Sequence, residues 1–269
     1  MFTDSHCHLT FPELASDLPA IRAAMQAARV TRALCISTSM EEFPAVQALA
    51  AAHDGFWATV GVHPDNEGVR EPSARELAQA AALPKVVAIG ETGLDYYQMQ
   101  ERKGGRGIAD LTWQRERFRT HIRAARQARV PLVIHTRAAA SDTLAILREE
   151  GEDGGTGSAS GVFHCFTETA AVARAALDLG FYISLSGIVT FKNAAGVHEV
   201  ARLAPEDRLL IETDSPYLAP APYRGKTNSP AYVPYVAARI AELRGVSVER
   251  VAGFTSANFT RLFLQAREA

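Results

Sequence analysis

The chain is short of cysteine, of long apolar runs and of charge of one sign, and each shortage narrows what it can be. Cys7, Cys35 and Cys165 are the whole cysteine complement, and no two form a Cys-x-x-Cys pair. An odd, widely spaced set of thiols excludes a disulfide framework and fits a reducing compartment, so a cytoplasmic protein is expected. No stretch approaches the ~18 consecutive apolar residues that a membrane helix needs. The opening Met1-Phe2-Thr3-Asp4-Ser5-His6 has neither the basic start nor the apolar run of a secretory leader. With 28 Lys+Arg against 30 Asp+Glu the net charge is -2. That balance excludes a polybasic nucleic-acid coat and leaves any anion binding to local clusters. What is present, 47% apolar and 22% charged residues, is the make-up of a globular chain rather than a disordered one.

Eight short apolar, partly β-branched runs recur: Phe2–Ser5, Val30–Ser37, Phe56–Val62, Lys85–Gly90, Val130–Ile134, Gly161–Phe163, Phe181–Leu185 and Arg208–Glu212. They are apolar on consecutive positions rather than alternating, the pattern of strands buried on both faces of a parallel sheet. Segments of helical spacing lie between them. Leu18, Ile21, Met25 and Ala28 follow Asp17, a candidate N-cap, and Ser73-Ala-Arg-Glu76 reads as a capping box. Phe118, Ile122 and Ala125 form a further stripe, as do Val172, Ala176 and Leu179. Eight strand–helix units in 269 residues predict an α/β fold. The expected form is one closed parallel β/α (TIM) barrel domain over residues 1–269, with an open doubly wound sheet as the alternative. Two loops stand out. Gln98–Asp110 carries Arg102, Lys103 and Arg106, while Gly151–Ser160 is glycine-rich and reads as a plain loop on the bottom face.

The chemistry collects at strand ends. His6 and His8 follow the first strand, His63 the third, Glu91 the fourth, His135 the fifth, His164 the sixth and Asp214 the eighth. In a barrel these ends converge on one mouth, where active sites of this architecture lie. His6-Cys7-His8 on an extended segment turns both imidazoles to one side and Cys7 to the other. Neutral imidazoles with carboxylates suit a borderline divalent cation such as Zn²⁺ or Mn²⁺, with Mg²⁺ a further candidate. Four histidines and two carboxylates exceed the ligand set of a mononuclear site. Two cations are therefore expected, with Glu91 as the bridge and a shared hydroxide as the attacking group. His63 reads either as a contributor at the mouth or as a hydrogen-bonded supporting group. Cys7 and Cys165 read as small buried hydrophobes. His53, His121 and His198 are expected on helices, partly exposed and without a role. Tyr96, Tyr97 and Tyr217 either stack on bases or pack in the core and rim. Arg224 and Lys226 on the proline-braced loop after the eighth strand, with Arg137 and Lys192, are candidate substrate-binding cations that suit a phosphorylated ligand.

Several ordered segments carry a family resemblance. They are Thr3-Asp-Ser-His-Cys-His8, Gly61-Val-His-Pro64, Ile89-Gly-Glu-Thr-Gly-Leu-Asp-Tyr96, Pro131-Leu-Val-Ile-His-Thr-Arg137 and His164-Cys-Phe-Thr167. Further along come Ser186-Gly-Ile-Val-Thr-Phe-Lys-Asn193, Glu212-Thr-Asp-Ser-Pro-Tyr-Leu-Ala-Pro220 and Arg224-Gly-Lys226, with Asn228 and Pro230. Together these resemble the TatD-type metal-dependent deoxyribonucleases, an amidohydrolase-like barrel family, and Ser256-Ala-Asn-Phe259 resembles that family's closing helix. The resemblance implies that His6, His8, Glu91 and Asp214 surround one metal while Glu91, His135 and His164 surround the other. It also implies that His63 assists substrate or phosphate binding. Asp65 stands where the family often has a second histidine, and Ala138 where it often has an aspartate.

The resulting expectation is a monomeric, divalent-metal-dependent hydrolase that cleaves phosphodiesters. The substrate expected is single-stranded DNA, attacked by a 3′–5′ exonuclease in which a metal-bound hydroxide reaches phosphorus and Asp214 orients or deprotonates the water. The alternatives are a dinuclear ester or amide hydrolase, such as a D-aminoacyl-tRNA deacylase acting on tRNA, and a non-catalytic metal-binding barrel. No membrane partner is expected.

Overall fold

The apolar runs become, in the computed structural model, eight strands hydrogen-bonded in chain order. The residues described are 1–97, 111–151, 155 and 157–264, so the Gln98–Asp110 loop, with Arg102, Lys103 and Arg106, lies outside them. The strands are β1 (Phe2–Cys7), β2 (Val30–Cys35), β3 (Phe56–Val60), β4 (Val86–Asp95), β5 (Leu132–Arg137), β6 (Gly161–Phe163), β7 (Tyr182–Leu185) and β8 (Leu209–Ile211). Each pairs in parallel with the one before it. Around them run α1 (Pro12–Ala15), α2 (Leu18–Ala27), α3 (Phe43–Ala51), α4 (Ala74–Ala81) and α5 (Thr112–Ala128). The second half adds α6 (Ala140–Glu149), α7 (Ala170–Asp178), α8 (Ala195–Leu203), α9 (Val233–Arg244) and α10 (Val248–Phe259). The expected capping box opens α4: Ser73 accepts from the Glu76 amide and Glu76 reaches back to the Ser73 amide. At α2 the expectation differs. Asp17 stands at the start without a side-chain cap bond, and Pro19 occupies the first turn, where a missing N–H costs nothing.

The sheet becomes a barrel because β8 returns to β1. Cys7 bridges Ser215 in parallel, the His8 amide donates to the Ser215 carbonyl at 2.9 Å, and the Asp214 amide donates to the His6 carbonyl at 3.0 Å. Below this seam the buried Asp4 carboxyl accepts from the Thr213 amide at 2.9 Å and from the His6 amide at 3.2 Å. Inside the barrel Leu34, Val87, Val133, Val162 and Leu210 meet Phe259, Leu262 and Phe263 from the C-terminal segment, which plugs the bottom. Asn258 fixes that plug by donating to the carbonyls of Glu206 at 2.7 Å and Leu209 at 2.9 Å. No helix among the described residues is long and apolar enough to cross a membrane.

Candidate metal centre

The mouth is built from side chains that successive strands deliver to one point. His6, inside β1, and His8, just beyond it, face each other with Nε2 atoms 3.2 Å apart. Cys7 between them turns away, its thiol directed at the Leu34 carbonyl at 3.4 Å. Glu91 lies within β4 rather than after it. The strand runs five residues past Gly90, and its register with β5 slips between Ile89 and Thr92. Such a bulge re-aims one side chain. It depends on glycine: a Cβ on Gly93 would sit 2.0 Å from the His135 carbonyl oxygen, and one on Gly90 would sit 2.7 Å from the Val133 Cβ.

Glu91 thereby divides its two oxygens between two sets of rings. Oε2 lies 3.3 Å from His6 Nε2 and 3.9 Å from His8 Nε2. Oε1 lies 2.8 Å from His164 Nε2, 3.1 Å from His135 Nδ1 and 3.3 Å from His63 Nε2. Asp214 flanks the first set, with Oδ1 3.5 Å from His8 and 3.6 Å from His6. Burial alone would raise the Glu91 carboxyl, but the charges of His164, His63 and His6 and the hydrogen bond from His135 offset it. The group is held well below the usual carboxylate range. His6 and His164 stack with ring centres 3.8 Å apart. Burial and the neighbouring His164 charge push His6 down, whereas the carboxylates of Glu91 and Glu212 overcome burial and hold His164 well up.

Two further carboxylates, absent from the sequence-based set, stand behind these rings. Asp95 Oδ2 meets His135 Nε2 at 3.0 Å, so that His135 offers Nδ1 to the centre. Glu212 Oε1 meets His164 Nδ1 at 3.2 Å and accepts from the Cys165 amide at 2.7 Å. A carboxylate behind an imidazole fixes ring orientation and tautomer, the arrangement found behind metal-ligating histidines. The donor set fits a divalent cation on its own terms. His6, His8 and Asp214 gather with donor atoms within 4.8 Å of one another, as do His63, Glu91 and His135, and as do His6, His164 and Glu212. The buried Nε2 atoms of His6 and His8 lie within 3.9 Å of Glu91 and Asp214 carboxylate oxygens, a set of nitrogen and anionic oxygen donors that suits a divalent cation.

His63 differs from the other rings. Its Nδ1 accepts from the Asp65 amide at 3.0 Å, which leaves Nε2 to carry the proton and point an N–H at Glu91. One helix holds this segment in place. On α5, buried Arg117 donates to the carbonyls of His63 and Asn66, each at 2.8 Å, and pairs with Glu71. His121 Nε2 accepts from the Val62 amide at 3.0 Å, and Gln114 exchanges hydrogen bonds with the Asp95 backbone at 3.0 and 3.1 Å. The expectation of partly exposed helical histidines without a role holds only in part, His53 being partly exposed and the other two helical. His121 is fully buried and structural; His198 is buried and bonded to the Val189 carbonyl at 2.9 Å; His53 lies past the end of α3.

Above the rings opens a cleft of about 740 Å³ whose lining includes His8, His63, Glu91, His135, His164 and Asp214, with Asp95, Arg137 and Tyr217. Asp214, Cys165, Ala138 and Leu218 around it all take left-handed backbone conformations, a concentration of strain typical of functional mouths. Cys165, expected as a small buried hydrophobe, reaches this cleft, but burial pushes its thiol well up, so it stays protonated beside Ser186. Of the candidate substrate cations only Arg137 lines the cleft. Lys192, Arg224 and Lys226 are exposed outside it, with the Arg224 guanidinium 4.1 Å above the Phe191 ring. Tyr96 is buried, its hydroxyl donating to Asp142 at 2.6 Å.

Comparison with known proteins gives a consistent picture. The family model described as TatD related DNase matches residues 3–264. The chain is 46% identical over 264 residues to the metal-dependent hydrolase YcfH of Escherichia coli K12, covering 97% of this chain and 94% of that protein. It is 34% identical over 266 residues to the 3′-5′ ssDNA/RNA exonuclease TatD of Citrobacter rodentium, covering 97% of each. The crystal structure of YjjV, a TatD homologue from Escherichia coli K12, superposes with a TM-score of 0.86 at 27% identity over 97% of both chains.

Proposed function

The chain belongs to the TatD related DNase family, and from that premise we propose that this metal-dependent hydrolase holds two divalent cations and cleaves phosphodiesters of single-stranded DNA from the 3′ end. One observation carries the reading: a single buried carboxylate, Glu91, turns one oxygen to His6 and His8 and the other to His135 and His164. Cations held there would lower the pKa of water and offset the charge that builds up on phosphorus. His6, His8, Glu91 and Asp214 would hold one, and Glu91, His135 and His164 the other.

The remaining steps belong to the protein's own side chains. The same surroundings that keep His8 close to Asp214 keep that carboxyl below its usual range, so it is ionised and able to orient a water and take its proton. His63, locked as an Nε2–H donor by the Asp65 amide, can donate to a phosphoryl or leaving oxygen. Arg137 at the cleft wall supplies a fixed positive charge for the phosphate, while Lys192, Arg224 and Lys226 would meet the strand beyond the cleft. The relative named as an ssDNA/RNA exonuclease supports this choice of substrate.

The test is turnover by metal-reconstituted protein on labelled single-stranded DNA, RNA and D-aminoacyl-tRNA in parallel, with and without chelator. Shortening of the DNA from its 3′ end, abolished by chelator and restored by Mn²⁺, Mg²⁺ or Zn²⁺, is expected. Turnover of the aminoacyl ester alone would replace the phosphodiester reading, and full activity after thorough demetallation would end the metal-dependent account.

A further inference from the structure

A substrate that is a nucleic acid brings bases as well as phosphates to the mouth, and one wall of the cleft is made of rings. Among the described residues the large apolar side chains left exposed are Met1, Leu83, Tyr97, Tyr217 and Tyr235, and of the tyrosines Tyr217 is the most open, at 52%. It lines the cleft together with Phe11 and His8. The three rings form a series leading outward from the donor ring. His8 stacks on Phe11 with centres 4.5 Å apart and planes within 19°, and Phe11 meets the edge of Tyr217 at 6.2 Å and 73°.

This wall is fixed to the candidate metal centre. The Tyr217 amide donates to the Asp214 carbonyl at 2.9 Å, and buried Asn228 donates to the carbonyls of Tyr217 at 2.6 Å and Thr213 at 2.8 Å. The Phe11 amide donates to the His8 carbonyl at 3.1 Å. Each ring therefore stands within a few residues of a cation donor and is tied to it through the backbone. His8 covers one face of Phe11, but among the described residues no cation competes for its other face or for Tyr217. Other rings near the mouth are covered by cations, Tyr97 by Arg137 at 4.0 Å and Phe191 by Arg224 at 4.1 Å.

We propose that Tyr217, with Phe11 set nearly perpendicular beside it, forms a stacking subsite for the terminal nucleobase of a single-stranded nucleic acid, a proposal that rests on the phosphodiesterase reading above. An aromatic face accepts any base, because every base has a π-face, and so it holds a strand without reading its sequence. An already ordered ring pair loses little freedom on binding. The phosphate is left to Arg137 and the cations, and the base to the rings, which makes the two contributions separable.

The test compares two short single-stranded oligonucleotides, identical except that one ends at its 3′ side in an abasic residue. Affinity is read by fluorescence anisotropy in chelator, so that it does not depend on turnover, with DNA and RNA versions run side by side. Wild-type protein is expected to bind the base-bearing strand about tenfold more tightly than the abasic one. Tyr217→Ala should erase that difference while leaving abasic binding and the metal content of the reloaded protein unchanged. Tyr217→Phe should restore it, and Phe11→Leu should reduce it in a fold whose thermal melt matches wild type. Equal affinity of wild-type protein for both strands, or equal weakening of both by Tyr217→Ala, would overturn the subsite. Base-dependent binding without cleavage after metal reloading would instead sink the phosphodiesterase reading and leave the subsite standing.

Discussion

His121 offers a test of how the site is held together, and its size can be worked out from its surroundings. The ring is buried on α5, accepts the Val62 amide on Nε2 at 3.0 Å and donates from Nδ1 to the Arg117 carbonyl at 2.8 Å. Burial pushes its pKa down from 6.5 to about 4. The folded protein therefore binds fewer protons than the unfolded chain between those values. The stability His121 contributes is fully present above the unfolded pKa and is lost as pH falls through the window toward the folded pKa. At about 1.4 kcal/mol per pKa unit, the loss reaches about 2 kcal/mol near pH 5 and about 3 kcal/mol near pH 4. His121→Gln keeps an acceptor for the Val62 amide and cannot titrate. Urea unfolding of both proteins from neutral pH to pH 4 should show the wild-type stability falling toward that of the variant by those amounts. Parallel curves would refute the picture of a neutral, buried His121 bracing the backbone beside His63.

Other substitutions probe the remaining supports. Gly93→Ala should lower the melting temperature sharply and impair metal uptake, because its Cβ would lie 2.0 Å from the His135 carbonyl oxygen; an unchanged melt would mean that the bulge yields easily. Asp95→Asn should weaken metal affinity by roughly 10–100-fold in a chelator competition, as expected when the partner of a ligating histidine is lost. Arg224→Ala combined with Lys226→Ala should flatten the slope of log affinity against log salt for single-stranded DNA by about 1.4 without changing metal content. An unchanged slope would make those two residues ordinary solvated charges.

The barrel was legible because its strands are buried on both faces: runs such as Val86-Val-Ala-Ile89 admit little else. The end of β4 was not legible, since Gly90 and Gly93 normally punctuate a strand, whereas here they let β5 approach closely. With that extension hidden, Asp95 lies beyond the strand expected over Lys85–Gly90, and nothing in the sequence places it behind His135. Glu212 is marked by its spacing. It stands two residues before Asp214, the same spacing that groups His6 with His8, and the Asp4–Thr213 contact turns the residue between them the other way. The helical stripe of Phe118, Ile122 and Ala125 likewise includes position 121 at its i+3 place, which marks His121 as buried. Arg117 could not have been found this way. A buried guanidinium is legible only once the carbonyls it serves are known, and those lie on a loop more than fifty residues earlier in the chain.

The two-cation centre proposed above depends on Glu91 serving both sites at once. The direct measurement is bound metal per chain, by mass spectrometry after reconstitution and desalting, with exonuclease turnover on the same samples. Wild-type protein, Glu91→Ala and His164→Ala are compared, each shown to be folded by circular dichroism. About two ions are expected in wild type and about one in His164→Ala. Glu91→Ala should show the deepest loss of both metal and turnover, because both sites lose a ligand and the negative charge that offsets their own. Retention of two ions by Glu91→Ala, or greater damage from His164→Ala, would contradict the bridging role.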